Sequence, residues 1–179
     1  KQILLIQGVK EERGQKGASM TTYLSLAGRF AVLMPNSRKR NSYGISKKIS
    51  DKAERARLRE ILHNLKIPKG MTVVLRTAAM GAQAADIAAD YDYLVNLWND
   101  IRKTTLESVA PVTIHTEDSL LRRVVRDFLS DKEDVLTIQG EEAYDAAKQY
   151  FQQMYGRAPR KQLVHYKDAA VPLMVKAGV

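Results

Sequence analysis

The sequence contains no cysteine. That absence excludes disulfide scaffolding, thiol nucleophiles and thiolate metal sites. It also fits a reducing compartment. No apolar run reaches the roughly 18 residues a membrane span needs, so no transmembrane helix is expected. The opening Lys1-Gln2-Ile3-Leu4-Leu5-Ile6 is too short for a secretory signal, and Gly8-Val9-Lys10-Glu11 follows without a cleavage site. No initiating Met stands at the start, and Val171–Val179 reads on without a natural stop, so the chain is expected to be part of a longer one.

Catalytic signatures are equally scarce. There is no Walker motif and no Gly-rich dinucleotide fingerprint; Gly14-Gln15-Lys16-Gly17 is a weak imitation of a phosphate loop. Nucleases that use divalent metal need clustered carboxylates. Here Asp51, Glu54, Asp86, Glu117, Asp118, Glu141 and Glu142 fall at helix starts or on helix surfaces, where the dipole favours negative charge. No acid falls inside an expected strand of the second half. His115-Thr116-Glu117-Asp118 reads as a strand-to-helix turn, because Thr, Glu and Asp favour helix N-termini. His63 has no second ligand at i+4, which argues against a metal pair. Internal repeats and low-complexity tracts are also missing.

What remains is a foldable and strongly basic chain. Its 179 residues are 45% hydrophobic and 27% charged, with a formal net charge of +9 and a pI near 9.7. Charge of that size points to a polyanionic partner, nucleic acid before membrane, although it also serves solubility.

Strands are expected over Ile3–Gln7, Met20–Leu26 and Phe30–Met34, the last two forming an antiparallel hairpin around Ala27-Gly28-Arg29. The window Ser37–Lys48 carries five basic residues and no acid, and reads either as a solvated loop or as a nucleic-acid contact. Ser50 is expected to cap a helix whose apolar stripe is Leu58, Ile61, Leu62 and Leu65. Pro68-Lys69-Gly70 then introduces a buried strand, Thr72 to Arg76. A long helix over 83–108 carries Ile87, Tyr91, Leu94, Trp98 and Ile101 at three- and four-residue steps. Beyond Pro111 the order is strand (Val112–His115), helix (Leu121, Val124, Val125, Phe128, Leu129), strand (Val135–Ile138), helix (from Glu141), strand (Gln162–Tyr166), and a helix near Ala169. Alternation of this kind predicts a parallel or mixed sheet covered by helices, an α/β (α+β) chain divided near Pro111.

Arg76 and Thr77 stand out within that plan. At a strand end they set a guanidinium fork beside a hydroxyl, with turn residues Ala78-Ala79-Met80-Gly81 behind them. Those groups suit a phosphate. They equally suit a surface ion pair at the end of a core strand.

Several long motifs carry a resemblance. Val9-Lys10-Glu11-Glu12-Arg13-Gly14-Gln15-Lys16-Gly17-Ala18, Thr21–Phe30, Val32-Leu33-Met34-Pro35-Asn36, Gly44-Ile45-Ser46 and Val74-Leu75-Arg76-Thr77-Ala78 resemble the ribonuclease E/G family of bacterial endoribonucleases. The likeness is dense over residues 3–82 and keeps its order through 112–179. It implies a C-terminal OB-fold remnant over 1–22, a sensor of the RNA 5′ end over 23–118, and a partial RNase H-like domain over 119–179. It implies also that the DNase-I-like catalytic domain lies outside this chain, with its magnesium, and the structural zinc link with it. No cofactor is therefore expected here, and no catalytic residue. The implied ligand is RNA with a 5′-monophosphate, bound by Arg76 and Thr77, with Gly28 and Val32 packing beside the terminal nucleotide. Gly28, lacking Cβ, is expected to let the nucleotide approach the backbone. Lys47 falls near this pocket where the family often has Arg, and Lys16 on an RNA-touching position of the OB-fold. The loop Arg38–Tyr43 is longer and more basic than the family pattern.

The resemblance further implies a role in RNA processing and mRNA degradation. It implies a cytoplasmic location, with the parent enzyme peripheral at the inner membrane and homo-oligomeric. Residues 1–19, as one strand apart from its OB-fold, are expected to be disordered or to pair by strand exchange with another copy. Two rival readings remain at this point: a scaffold with end-independent, charge-driven RNA binding, and an enzyme acting on a small phosphorylated metabolite. The latter lacks a general base near Arg76.

Overall fold

A computed structural model describes residues 3–37, 42–116, 120–129, 134–155 and 162–178, in two units, Lys1–His115 and Thr116–Val179. Helices combine with sheets of mixed orientation, so the fold is α+β.

In the first unit, β1 (Gln7–Lys10) and β2 (Ser19–Thr21) form an antiparallel hairpin. The strand expected over Ile3–Gln7 starts only at Gln7, and within the chain it pairs with Ser19–Thr21. A four-stranded sheet follows in the order β3-β4-β6-β5, from β3 (Leu26–Ala27), β4 (Ala31–Met34), β5 (Ser42–Ile45) and β6 (Thr72–Leu75). β3 and β6 flank β4 antiparallel, whereas β5 runs parallel to β6. The expected hairpin is present in the register Leu26↔Leu33. The single strand expected over Met20–Leu26 is divided into β2 and β3. Asn36 holds the break, accepting the Leu24 N–H on Oδ1 at 2.9 Å and donating from Nδ2 to the Thr22 carbonyl at 2.6 Å.

Alternation along β4 and β6 decides which face is covered. Ala31, Leu33, Val73 and Leu75 have no exposed surface and meet the helices; Val32, Met34 and Val74 turn to the other face and are half-buried. Helix α1 (Lys52–Asn64) supplies Leu58 and Leu62 to the core. Its N-cap is Asp51, whose carboxylate accepts the Ala53 N–H at 2.9 Å, one residue beyond the expected Ser50. After β6 a one-turn 3₁₀ helix (Thr77–Ala79) leads to α2 (Ala84–Glu107). Ile87, Tyr91, Leu94 and Ile101 are buried as their spacing predicts, and Trp98 is partly buried against the same core. Val112–His115, expected as a strand, makes no sheet pairing; β propensity alone does not form a strand without a partner edge.

In the second unit, α3 (Leu120–Asp127) is followed by β7 (Leu136–Gln139), α4 (Glu141–Tyr155), β8 (Leu163–Tyr166) and α5 (Leu173–Lys176). β7 and β8 pair in parallel with α4 as the crossover. Val125, Ala147 and Phe151 are fully buried, and the Tyr155 hydroxyl donates to the Leu129 carbonyl at 2.9 Å. Phe128, expected on the apolar face, lies past the end of α3 and is 72% exposed. The last helix starts after Pro172 rather than near Ala169. Glu117, Asp118 and Arg38–Asn41 lie outside the described residues. Among the described residues no helix is long and apolar enough to cross a membrane.

Candidate functional site

One end of the four-stranded sheet gathers most of the residues that the sequence singles out. The C-terminal ends of the parallel pair β5 and β6 lie side by side, in the register Ile45↔Leu75, so Lys47 and Arg76 leave the sheet at the same end. Antiparallel β4 begins there, with Ala31 opposite Leu75, which brings Gly28, Arg29 and Phe30 to the same corner.

Arg76 is tied to that corner twice. Its backbone N–H donates to the Phe30 carbonyl at 2.7 Å. Its guanidinium Nη1 donates to the Gly28 carbonyl at 2.7 Å and to the Arg29 carbonyl at 3.4 Å. Those bonds fix the direction in which a half-buried cation is presented. Thr77 follows as the first residue of the 3₁₀ turn and is exposed.

Beneath the corner lies a carboxylate that the sequence reading passed over. Asp90 is 2% exposed on α2. Its Oδ1 accepts the Arg29 N–H at 2.9 Å, and its Oδ2 accepts the N–H groups of Phe30 at 2.8 Å and Ala31 at 2.9 Å. Burial pushes the carboxyl pKa upward, opposed by these three N–H donors and by the Arg76 charge. The signal was available: Asp90 is three residues beyond Ile87 and four before Leu94, on the buried stripe itself, where an acid needs partners.

Asp90 also corrects the reason given for Gly28. A Cβ at Gly28 would lie 2.5 Å from both carboxylate oxygens of Asp90. The space freed by the missing side chain is filled by that carboxylate, and Gly28 is buried. The residue is glycine because helix α2 presses on it, not because that side is open to a ligand.

Helix α1 secures the loops on either side. Arg55 Nη1 donates to the carbonyls of Ser46 and Ile49, both at 3.0 Å, and so pins the turn carrying exposed Lys47. Glu54 accepts from Arg57 at 2.6 Å and from the Gly81 N–H at 3.0 Å, while Arg57 Nη1 donates to the Ala82 carbonyl at 2.9 Å. These bonds hold the segment after Thr77. The Arg57 guanidinium, with the Gly81 N–H, lowers the Glu54 carboxyl from 4.5 to about 2.

Val32 and Lys16 complete the predicted set. Val32 sits mid-strand, opposite Ala27 and Val74, on the face away from the helices. Lys16 is at the tip of the β1–β2 hairpin, bridged to Arg13, outside the four-stranded sheet. Among the described residues, no group of three or more His, Cys, Asp or Glu could hold a metal ion.

Comparison with known proteins bears on what this corner is for. The model of the ribonuclease E/G family matches residues 25–179. The chain is 34% identical to ribonuclease E of Escherichia coli (strain K12) over 172 residues, which is 96% of this chain and 16% of that protein. It is 36% identical to ribonuclease E of Buchnera aphidicola (subspecies Schizaphis graminum) over 149 residues, 83% of this chain and 15% of the relative. Identity to ribonuclease G of Escherichia coli (strain K12) is 30% over 165 residues, 92% of this chain and 33% of that protein. The chain thus spans a minor part of the length of these relatives.

Proposed function

The chain belongs to the ribonuclease E/G family of RNA-processing endoribonucleases, and on that premise we propose that it is a non-catalytic part that senses the 5′-monophosphate of RNA. Residues 23–118 act as the sensor, residues 1–22 belong to an RNA-binding OB-fold, and residues 119–179 belong to an RNase H-like domain. The observation that carries this reading is the anchored Arg76. Its guanidinium is fixed on the Gly28 carbonyl at 2.7 Å, in a corner clamped by the buried Asp90. Thr77 sets an exposed hydroxyl beside it, and Lys47 adds charge at the same sheet end.

A terminal phosphate binds by charge-assisted hydrogen bonds to a cation already held in place, so little side-chain ordering is spent on binding. Arg76 supplies the charge and the fork, and Thr77 a short neutral donor. Val32 offers apolar contact to the terminal nucleotide, and the Gly28 carbonyl orients Arg76. Lys16 extends the basic surface toward the body of the RNA. The reading expects a monophosphate to be preferred to a triphosphate. Binding orients RNA for hydrolysis by a domain elsewhere in the whole, cytoplasmic, homo-oligomeric enzyme. The magnesium and zinc attached to the parent by family likeness have no part in the binding proposed here.

The test compares the affinity of short RNAs bearing 5′-monophosphate, 5′-hydroxyl and 5′-triphosphate. The monophosphate should bind best. The net charge of +9 favours a second reading, a scaffold that binds RNA through charge alone. Under that reading all three RNAs bind in order of their charge, with the same steep salt dependence.

A further inference from the structure

The turn from β3 into β4 stands between two charges. Three consecutive peptide units make it up: the Gly28 carbonyl with the Arg29 N–H, the Arg29 carbonyl with the Phe30 N–H, and the Phe30 carbonyl with the Ala31 N–H. A planar trans peptide points its N–H and its C=O in opposite directions. On one side, all three N–H groups donate to Asp90, at 2.9, 2.8 and 2.9 Å. On the other, all three carbonyls accept from Arg76. Gly28 and Arg29 take Nη1 at 2.7 and 3.4 Å, and Phe30 takes the backbone N–H at 2.7 Å. Each unit is therefore bonded at both ends, to the buried acid by its N–H and to Arg76 by its carbonyl.

That pattern is electrical as well as steric. A peptide dipole has its positive end at the N–H and its negative end at the carbonyl oxygen. All three dipoles here set their positive ends on the carboxylate and their negative ends on Arg76. Hydrogen bonds in such a chain polarise one another, so the acid strengthens the carbonyls that hold the cation. The turn itself is already closed without Asp90, because the Gly28 N–H donates to the Ala31 carbonyl at 2.8 Å. A carboxylate that is 2% exposed is costly to keep unless it is compensated. Burial pushes its pKa upward, and the three N–H groups and the Arg76 charge pull it back. The acid and the arginine thus compensate each other across one layer of backbone.

We infer that Asp90 is a positioning residue for phosphate recognition, setting the Arg76 guanidinium through the three peptide units between them. This deepens the reading of Arg76 as the phosphate-binding group and rests on it. An arginine left to itself spreads over many rotamers, and a ligand must then order it. Here the ordering is done in advance by a carboxylate buried beneath the site. Removing its charge should weaken recognition of the phosphate and spare the binding of the rest of the RNA. An acid that served only the fold would change stability alone.

The experiment uses the full 179-residue chain and 3′-fluorescein RNA decamers bearing a 5′-monophosphate or a 5′-hydroxyl, followed by anisotropy. Asp90→Asn keeps the shape of the side chain and removes its charge. It should lower the phosphate-to-hydroxyl affinity ratio about tenfold, the scale of one charge-assisted bond, and bind the 5′-hydroxyl decamer as wild type does. In an Arg76→Ala background, Asp90→Asn should change the ratio no further. Ile101→Ala opens a core cavity about three turns along the same helix; it should lower the melting temperature and leave the ratio unchanged. NMR of the arginine side chains reads the coupling without RNA. Rotation of the Arg76 guanidinium should be hindered in wild type and free in Asp90→Asn. If Asp90→Asn fails to fold, Gly28→Ala decides the matter by the same two readouts, since its Cβ would lie 2.5 Å from both carboxylate oxygens and displace them. An Asp90→Asn protein that keeps the wild-type ratio or a hindered Arg76, or an Ile101→Ala protein that loses the ratio equally, would overturn the proposal. A wild type with no preference for the phosphate overturns the sensor reading instead, and the Arg76 signal then still decides whether Asp90 holds that guanidinium.

Discussion

Asp90 is the residue on which the corner depends. Its carboxylate satisfies three N–H groups of the chain leaving β3, and nothing else described there could replace all three. Asp90→Ala should cost about 3 kcal/mol, taking roughly 1 kcal/mol for each buried hydrogen bond removed, read from the midpoint of urea unfolding. Gly28→Ala should cost about 2 kcal/mol, the scale of forcing a methyl group into filled space. In the Asp90→Ala background, Gly28→Ala should cost much less, because the atoms it strikes are gone. At this scale the sequence shows half the pairing. Arg76, Thr77 and Gly28 are visible as types suited to phosphate. That Gly28 and Asp90 touch is not, because they are 62 residues apart and meet only once α2 packs on the sheet.

At the scale of elements, α1 acts as a clasp. Arg55 holds the turn after β5, while Glu54 and Arg57 hold the loop between the 3₁₀ turn and α2. Glu54 titrates at about 2 in the folded chain, below its ordinary 4.5. A carboxylate with a depressed pKa contributes stability that is present above the unfolded value and lost as pH falls through the folded one. Glu54→Gln should therefore lower the melting temperature at pH 7. The gap to wild type should narrow as pH drops from about 4.5 toward 2, followed by circular dichroism across that range. A gap that stays constant with pH would separate the stabilisation from the charge of Glu54. The helices were legible because Ile87, Tyr91, Leu94 and Ile101, and Leu58 and Leu62, repeat at helical spacing and are buried. β5 was not, because its four residues Ser42-Tyr43-Gly44-Ile45 sit in a basic window and gain their pairing from β6, about thirty residues onward.

Across the whole molecule, family and α+β class were readable because they rest on long motifs and on alternating strands and helices. The role of the buried acid was not, since it depends on contacts between distant segments. The chain should cut no RNA in magnesium, as measured on a labelled transcript with catalytically competent ribonuclease E as the positive control; cleavage by the clean chain would contradict its assignment as a non-catalytic part. The most direct test of the sensor is the ratio of affinities for one RNA with and without its 5′-phosphate, measured for wild type and for Arg76→Ala. Wild type should prefer the phosphorylated end by about 1.5–3 kcal/mol, the scale of charge-assisted bonds. Arg76→Ala should bring the ratio close to one while leaving the 5′-hydroxyl RNA bound as before. An Arg76→Ala protein that keeps the wild-type ratio, or a wild type that has none, would contradict the account.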